Sequence, residues 1–163
     1  MKMRIEKSQS SGPGYNCLPT RTIRTFLAED NPYLMVLLAR IVSKNQRVAI
    51  VGSAMDGRKA LCHASTLHLD LVVTDLHMPG MDGAEVARLL KQLPNPPIVF
   101  VATGDDTPEV RARSMAAGAD AFLVKAGDFV PRVLSAINEF FPDDLEQNEA
   151  ESKHLHESLT TIE

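Results

Sequence analysis

Only two of the 163 residues are cysteine, Cys17 and Cys62, 45 positions apart. So sparse a pair makes neither a disulfide framework nor a zinc motif, and it suits a reducing compartment. Also missing is any apolar run near the roughly 18 residues that a membrane span needs, and residues 1–20 lack the apolar stretch of a secretion signal. These absences point to a cytoplasmic protein with no membrane association. Nor is there a basic excess: 17 Lys and Arg face 21 Asp and Glu, for a net charge of −4. The imbalance is local. Residues 21–141 are neutral, with 13 charges of each sign, whereas residues 142–163 carry one basic and seven acidic groups. Nucleic-acid backbones recruit clusters of Lys and Arg, so direct nucleic-acid binding is not expected.

What the chain does have is 44% hydrophobic residues, enough for one soluble domain that buries roughly two-thirds of its surface without staples. The Ser/Gly/Pro-rich composition of residues 8–14 cannot pack a core, so 1–20 read as a flexible leader. The domain occupies 21–141. The acidic tail, 142–163, is expected to be disordered or a short helix; Leu145, Ser152 and Leu159 with Asn148, Leu155 and Ile162 give it only a weak heptad.

Within the domain, segments 22–28, 47–53, 70–74, 97–102 and 121–124 are short and rich in Val, Ile, Leu and Phe, as strands covered on both faces must be. Between them run segments of helical period. Asn31-Pro32 places a capping side chain before a proline at the first helical position, with Leu34, Leu37, Leu38, Ile41 and Val42 on one side. Helices follow at 56–67 and 83–93. Thr107-Pro108 opens a fourth that Gly118 closes, and Asp128 caps a fifth. Five β-α repeats predict an α/β fold, a doubly wound five-stranded parallel sheet with right-handed crossovers. Ligands in such folds sit at the carboxyl ends of the strands.

Those ends are polar. The first strand delivers Glu29 and Asp30, the third Asp75, the fourth Thr103 and the fifth Lys125. Three carboxylates in one crevice repel each other until a proton or a cation relieves them. All-oxygen ligands suit Mg²⁺, with Mn²⁺ as the alternative, rather than zinc. Lys125 and Thr103 are poor metal ligands but good partners for phosphate oxygens. An aspartate in such a site can itself be the nucleophile, forming an acyl phosphate.

The pair Glu29-Asp30, the run Asp75-Leu-His-Met-Pro-Gly-Met-Asp-Gly, Thr103-Gly104 and the Ala-Gly-Ala-Asp-Ala-Phe-Leu-Val-Lys run ending at Lys125 resemble the receiver domain of bacterial two-component response regulators, the CheY-like fold. That resemblance implies a flavodoxin-like strand order, 2-1-3-4-5. It also implies that Asp75 is the phosphoacceptor for a histidine kinase or histidine phosphotransfer protein. Asp30, Asp75 and the backbone carbonyl of His77 would hold Mg²⁺, with Glu29 acting through water. Thr103 and Lys125 would contact the phosphoryl oxygens, and Thr103 and Phe122 would be the switch residues. Met78, Pro79, Gly80 and Gly83 would shape the loop behind the acceptor. The output would run through the face of the fourth helix, fifth strand and fifth helix, to a downstream protein or to a second copy; Arg111, Arg113, Asp120 and Arg132 are expected there.

Residues 48–61, with Asn31-Pro32, resemble the LuxR-type branch of these regulators. Two outputs therefore stay open. The acidic end favours a stand-alone receiver; the alternative is the receiver part of a LuxR-type DNA-binding transcription regulator whose output domain is absent from this chain. An aspartate-nucleophile phosphatase would need a second Asp two residues after Asp75, where His77 stands, so the chain is expected to be a signalling acceptor and not an enzyme. Cys62, beside Leu61, is expected to pack in the core.

Overall fold

The computed structural model describes residues 21–142. The expected leader and acidic tail lie outside the described residues. Five strands, β1 (Ile23–Ala28), β2 (Val48–Ala54), β3 (Leu71–Asp75), β4 (Ile98–Thr103) and β5 (Ala121–Val124), alternate with α1 (Pro32–Val42), α2 (Gly57–Ala64), α3 (Gly83–Leu90), α4 (Pro108–Ala116) and α5 (Phe129–Phe140). The strands form one parallel sheet in the order β2-β1-β3-β4-β5. This is the expected flavodoxin-like order, with the switch point between β1 and β3.

The two-residue period of the strands splits the core in two. Ile23, Leu27, Leu71, Val73, Phe100, Ala102 and Leu123 pack on one face against Leu38, Ile41 and Val42 of α1 and Val133 and Ile137 of α5. Phe26, Val72, Val99, Val101 and Phe122 point to the other face, toward α2 and α3. Each fully buried aliphatic side chain contributes about 1.5–3 kcal/mol, so the three central strands fix the domain. β3, buried along its whole length, places Asp75 at the end of the central strand of the sheet.

Three local expectations change. Leu34 and Leu37 of α1 are partly exposed rather than buried, Leu37 by 49%; with Tyr33, Met35 and Val36 also apolar, the helix carries more apolar surface than one face can bury. Cys62 is exposed, because the buried stripe of α2 is Gly57, Ala60 and Ala64 and position 62 lies about 200° around the helix from position 60. Asp128 makes no capping bond, since its carboxylate accepts instead from Arg132 Nε at 2.8 Å. The Asn31 cap is made as expected, accepting from the backbone N–H of Tyr33 at 2.9 Å and of Leu34 at 3.2 Å.

Candidate functional site

Glu29, Asp30 and Asp75 each bring a carboxylate oxygen to within 4.8 Å of the others. The parallel register explains this: Ala28 pairs with Thr74, so the residues that follow on β1 and β3 emerge side by side at the switch point. Glu29 is buried and only 1% exposed, Asp75 is buried, and Asp30 faces solvent. From the end of β5, Lys125 reaches across, its Nζ donating to Glu29 Oε2 at 2.5 Å and Asp75 Oδ1 at 2.7 Å. One ammonium thus faces three carboxylates.

Burial pushes the Glu29 carboxyl above the ordinary 4.5; Lys125 opposes the rise and the Asp75 charge reinforces it. Desolvation disfavours the charged form, and a second carboxylate nearby does the same. Three carboxyl groups thus share a single ammonium in a part-buried crevice, an excess of acidic groups. A donor set made only of oxygens, with that excess, fits a hard divalent cation such as Mg²⁺.

The loop behind Asp75 is held from two sides. Gly83 N donates to Leu76 O at 2.8 Å, and a Cβ at Gly83 would lie 2.0 Å from Asp75 O, so only glycine lets α3 begin this close to Asp75. Gly80, at φ 76°, supplies the left-handed turn of the Met-Pro-Gly sequence. From α2, Gly57 N donates to Pro79 O at 3.1 Å and Arg58 Nε to Gly80 O at 3.2 Å. This clamp is invisible to a strand-end search, because α2 starts far from Asp75 in sequence; the Asp56-Gly57 cap is its only sequence signal. The His77 side chain is exposed, and Met78 and Met81 pack against the core.

Thr103, the last residue of β4, is fully buried, and its Oγ1 accepts from Asp105 N at 3.2 Å. Phe122 is 7% exposed, turned inward under the Arg111 guanidinium, which lies 4.6 Å from the ring centroid. Of the charged residues expected on the output face, Arg111 pairs with Asp106 and Arg132 with Asp128. Arg113 instead pairs with Asp82, and Asp120 bonds Lys91 Nζ at 2.5 Å and Val99 N at 2.7 Å.

Sequence reasoning also missed an apolar groove beside the site. Leu34, Leu37, Leu38 and Ile41 of α1 face Ala126, Phe129 and Val130 across a cavity of about 240 Å³ whose lining includes Glu29 and Lys125. Among the described residues, exposed large apolar side chains concentrate on α1, where Tyr33 is 85% exposed, while α4 contributes Met115.

The chain matches the family model described as "Response regulator receiver domain" over residues 25–137. Among curated relatives, a protein-glutamate methylesterase/protein-glutamine glutaminase of Methanospirillum hungatei is 33% identical over 123 residues, 72% of this chain and 35% of that protein. The transcriptional regulatory protein NarL of Mycobacterium tuberculosis is 34% identical over 104 residues, 63% of this chain and 48% of that one. The chain therefore spans less than half the length of either relative. The solved signal receiver domain of the Mycobacterium tuberculosis NarL superposes with a TM-score of 0.65 at 30% identity, covering 71% of this chain and 96% of that domain. The response regulator domain of Thermotoga maritima CheB, at 24% identity, shares the fold with a TM-score of 0.68 over 74% of this chain and 97% of that one. No helix among the described residues is long and apolar enough to cross a membrane. With the fold, the acidic cluster and the family match in agreement, this chain belongs to the response regulator receiver domain family, a class of signalling modules.

Proposed function

We propose that the chain is a phosphorylation-controlled receiver in which Asp75 takes a phosphoryl group from a histidine kinase or histidine phosphotransfer protein in the cytoplasm. The observation that carries this reading is the convergence of Glu29, Asp30 and Asp75 around Lys125. An Asp75 carboxylate oxygen attacks the phosphorus of the donor's phosphohistidine; the P–O bond forms as the P–N bond breaks, and the electron pair returns to the imidazole. Asp30, Asp75 and the His77 carbonyl would hold Mg²⁺ or Mn²⁺, with Glu29 acting through water. The cation supplies charge neutralisation as phosphoryl oxygens approach carboxylates. Lys125, released from part of its pairing, turns its ammonium to a phosphoryl oxygen. Thr103 donates its hydroxyl proton to another.

The apolar groove gives the donor a place to sit. A phosphohistidine must come within bonding distance of Asp75, and Glu29 and Lys125 are part of the groove's lining; a helix with an apolar face, laid against α1 and the start of α5, would deliver it. Output then runs through α4, β5 and α5 to a downstream protein or to a second copy of the chain, with no direct contact to nucleic acid or membrane.

Incubation with acetyl phosphate and Mg²⁺, followed by intact-mass and peptide mapping, tests the assignment. Label is expected on Asp75, lost in Asp75→Asn and in EDTA. Equal labelling in either control contradicts it.

A further inference from the structure

α4 packs only lightly on the core, through the partly buried Val110 and, at its C-cap, Ala117, and polar contacts supply much of the rest. Its only buried residue is Ser114, and that hydroxyl has no hydrogen-bond partner. A buried hydroxyl without a partner forfeits its hydration and gains nothing in return, and alanine would fill the same place in the helix with better propensity. The two arginines that precede Ser114 act in the opposite sense. Arg113 pairs with Asp82, the N-cap of α3 at the end of the acceptor loop. Arg111 covers Phe122 and donates to Asp106 at 2.9 Å. At the start of the helix, Asp105 N donates to Thr103 Oγ1 at 3.2 Å and Thr107 N to Asp105 Oδ1 at 3.0 Å. Thr103 is thus two hydrogen bonds from Thr107, the N-cap of α4.

We propose that α4 is a balance: the Arg113–Asp82 and Arg111–Phe122 contacts hold it where the structure places it, and the unpartnered hydroxyl of Ser114 biases it away. The inference rests on the receiver reading, in which Thr103 is drawn toward a phosphoryl group on Asp75. Once Thr103 turns, its bond to Asp105 is lost and the start of α4 is released. A small movement lets the Ser114 hydroxyl meet water or a carbonyl, which favours the moved state. The same movement breaks the two arginine contacts, which favours the resting one. Only contacts that differ between the states shift their ratio, so the two kinds of substitution must act with opposite sign.

The experiment uses the full chain, titrated with beryllofluoride in Mg²⁺ and followed by the amide resonances of Gly104 and Gly118. Ser114→Ala is expected to raise the half-saturating beryllofluoride concentration about fivefold, and Arg113→Ala and Arg111→Ala to lower it about threefold each. Without beryllofluoride, Ser114→Ala should slow amide exchange across α4 by a similar factor. The proposal is overturned if Ser114→Ala leaves the midpoint unchanged, if it moves the midpoint in the same direction as the arginine variants, or if those variants do not lower it. A wild-type chain that does not respond to beryllofluoride sinks the receiver reading instead; the exchange comparison, which needs no phosphate mimic, still decides the balance.

Discussion

The first and fourth helices both begin with proline at the first helical position and each follows a strand that neighbours β3 in the sheet, yet they are built in opposite ways. α1 is capped by two bonds to Asn31, buries Leu38, Ile41 and Val42, and still shows Tyr33, Leu34, Val36 and Leu37 to solvent. α4 has no side-chain capping bond from Thr107 and buries a single serine whose hydroxyl is unpartnered. One helix is anchored and presents an apolar surface. The other is tied down by two arginines. A helix that must receive a partner gains from rigidity, because a preformed surface avoids ordering costs on binding. A helix that must change position gains from shallow packing, because low local stability is where motion is drawn from.

The largest expected effect is at Lys125, which lines the groove beside α1. Lys125→Ala leaves Glu29 buried without a cation, and breaking a buried ion pair costs about 3 kcal/mol. Urea unfolding should show that loss, with Mg²⁺ restoring much of it; an unchanged midpoint without Mg²⁺ would mean that Glu29 is neutral or hydrated. Next comes the surface of α1. Leu37→Glu is expected to slow phosphotransfer from a histidine phosphotransfer protein about tenfold, the size of one hot-spot residue, while labelling by acetyl phosphate stays unchanged. Equal loss with both donors would show damage to the site rather than to a docking surface.

The caps sharpen the comparison directly. Asn31→Ala should cost about 1 kcal/mol and Thr107→Ala only a few tenths, read by denaturant midpoints; equal losses would erase the contrast in anchoring. A smaller effect than the loss of the Asn31 cap belongs to Asp82. Burial pushes this carboxyl up, but the Glu85 N–H and the Arg113 guanidinium outweigh it and hold the net pKa below the ordinary 3.8. A carboxyl lowered in the folded state contributes stability above its unfolded pKa and loses it as pH falls through the folded value. Asp82→Asn should therefore cost about 0.5 kcal/mol at pH 7 and nothing once the pH is well below 3.8. A difference that persists in acid would assign the loss to packing.

Much of the fold could be read from the residues themselves. Apolar runs marked the strands to within a residue or so, most cleanly in β3 and β4, which are buried along nearly their whole length. Asn31, Pro32, Pro108 and Gly118 marked helix boundaries through backbone constraints that act locally. The acidic cluster was legible for the same reason: a parallel α/β sheet brings strand ends together, so Glu29, Asp30, Asp75 and Lys125 could be grouped before their distances were known. What stayed hidden depends on side chains meeting across the fold. The contact of Arg113 with Asp82 spans 31 positions, and either arginine near Ser114 could equally have faced solvent. Asp128 looked like a cap until Arg132, one turn later, took its carboxylate. The exposure of Leu34 and Leu37 had a visible signal, the excess of apolar residues in α1, but choosing which of them α5 covers requires the packed structure.

Amide hydrogen exchange of α1 and α4 in one sample, before and after phosphorylation of Asp75, bears most directly on this division between a docking helix and a moving one. Exchange across residues 104–118 should change several-fold on phosphorylation, while residues 32–42 keep the same protection. A change confined to α1, with α4 unaffected, would contradict the account.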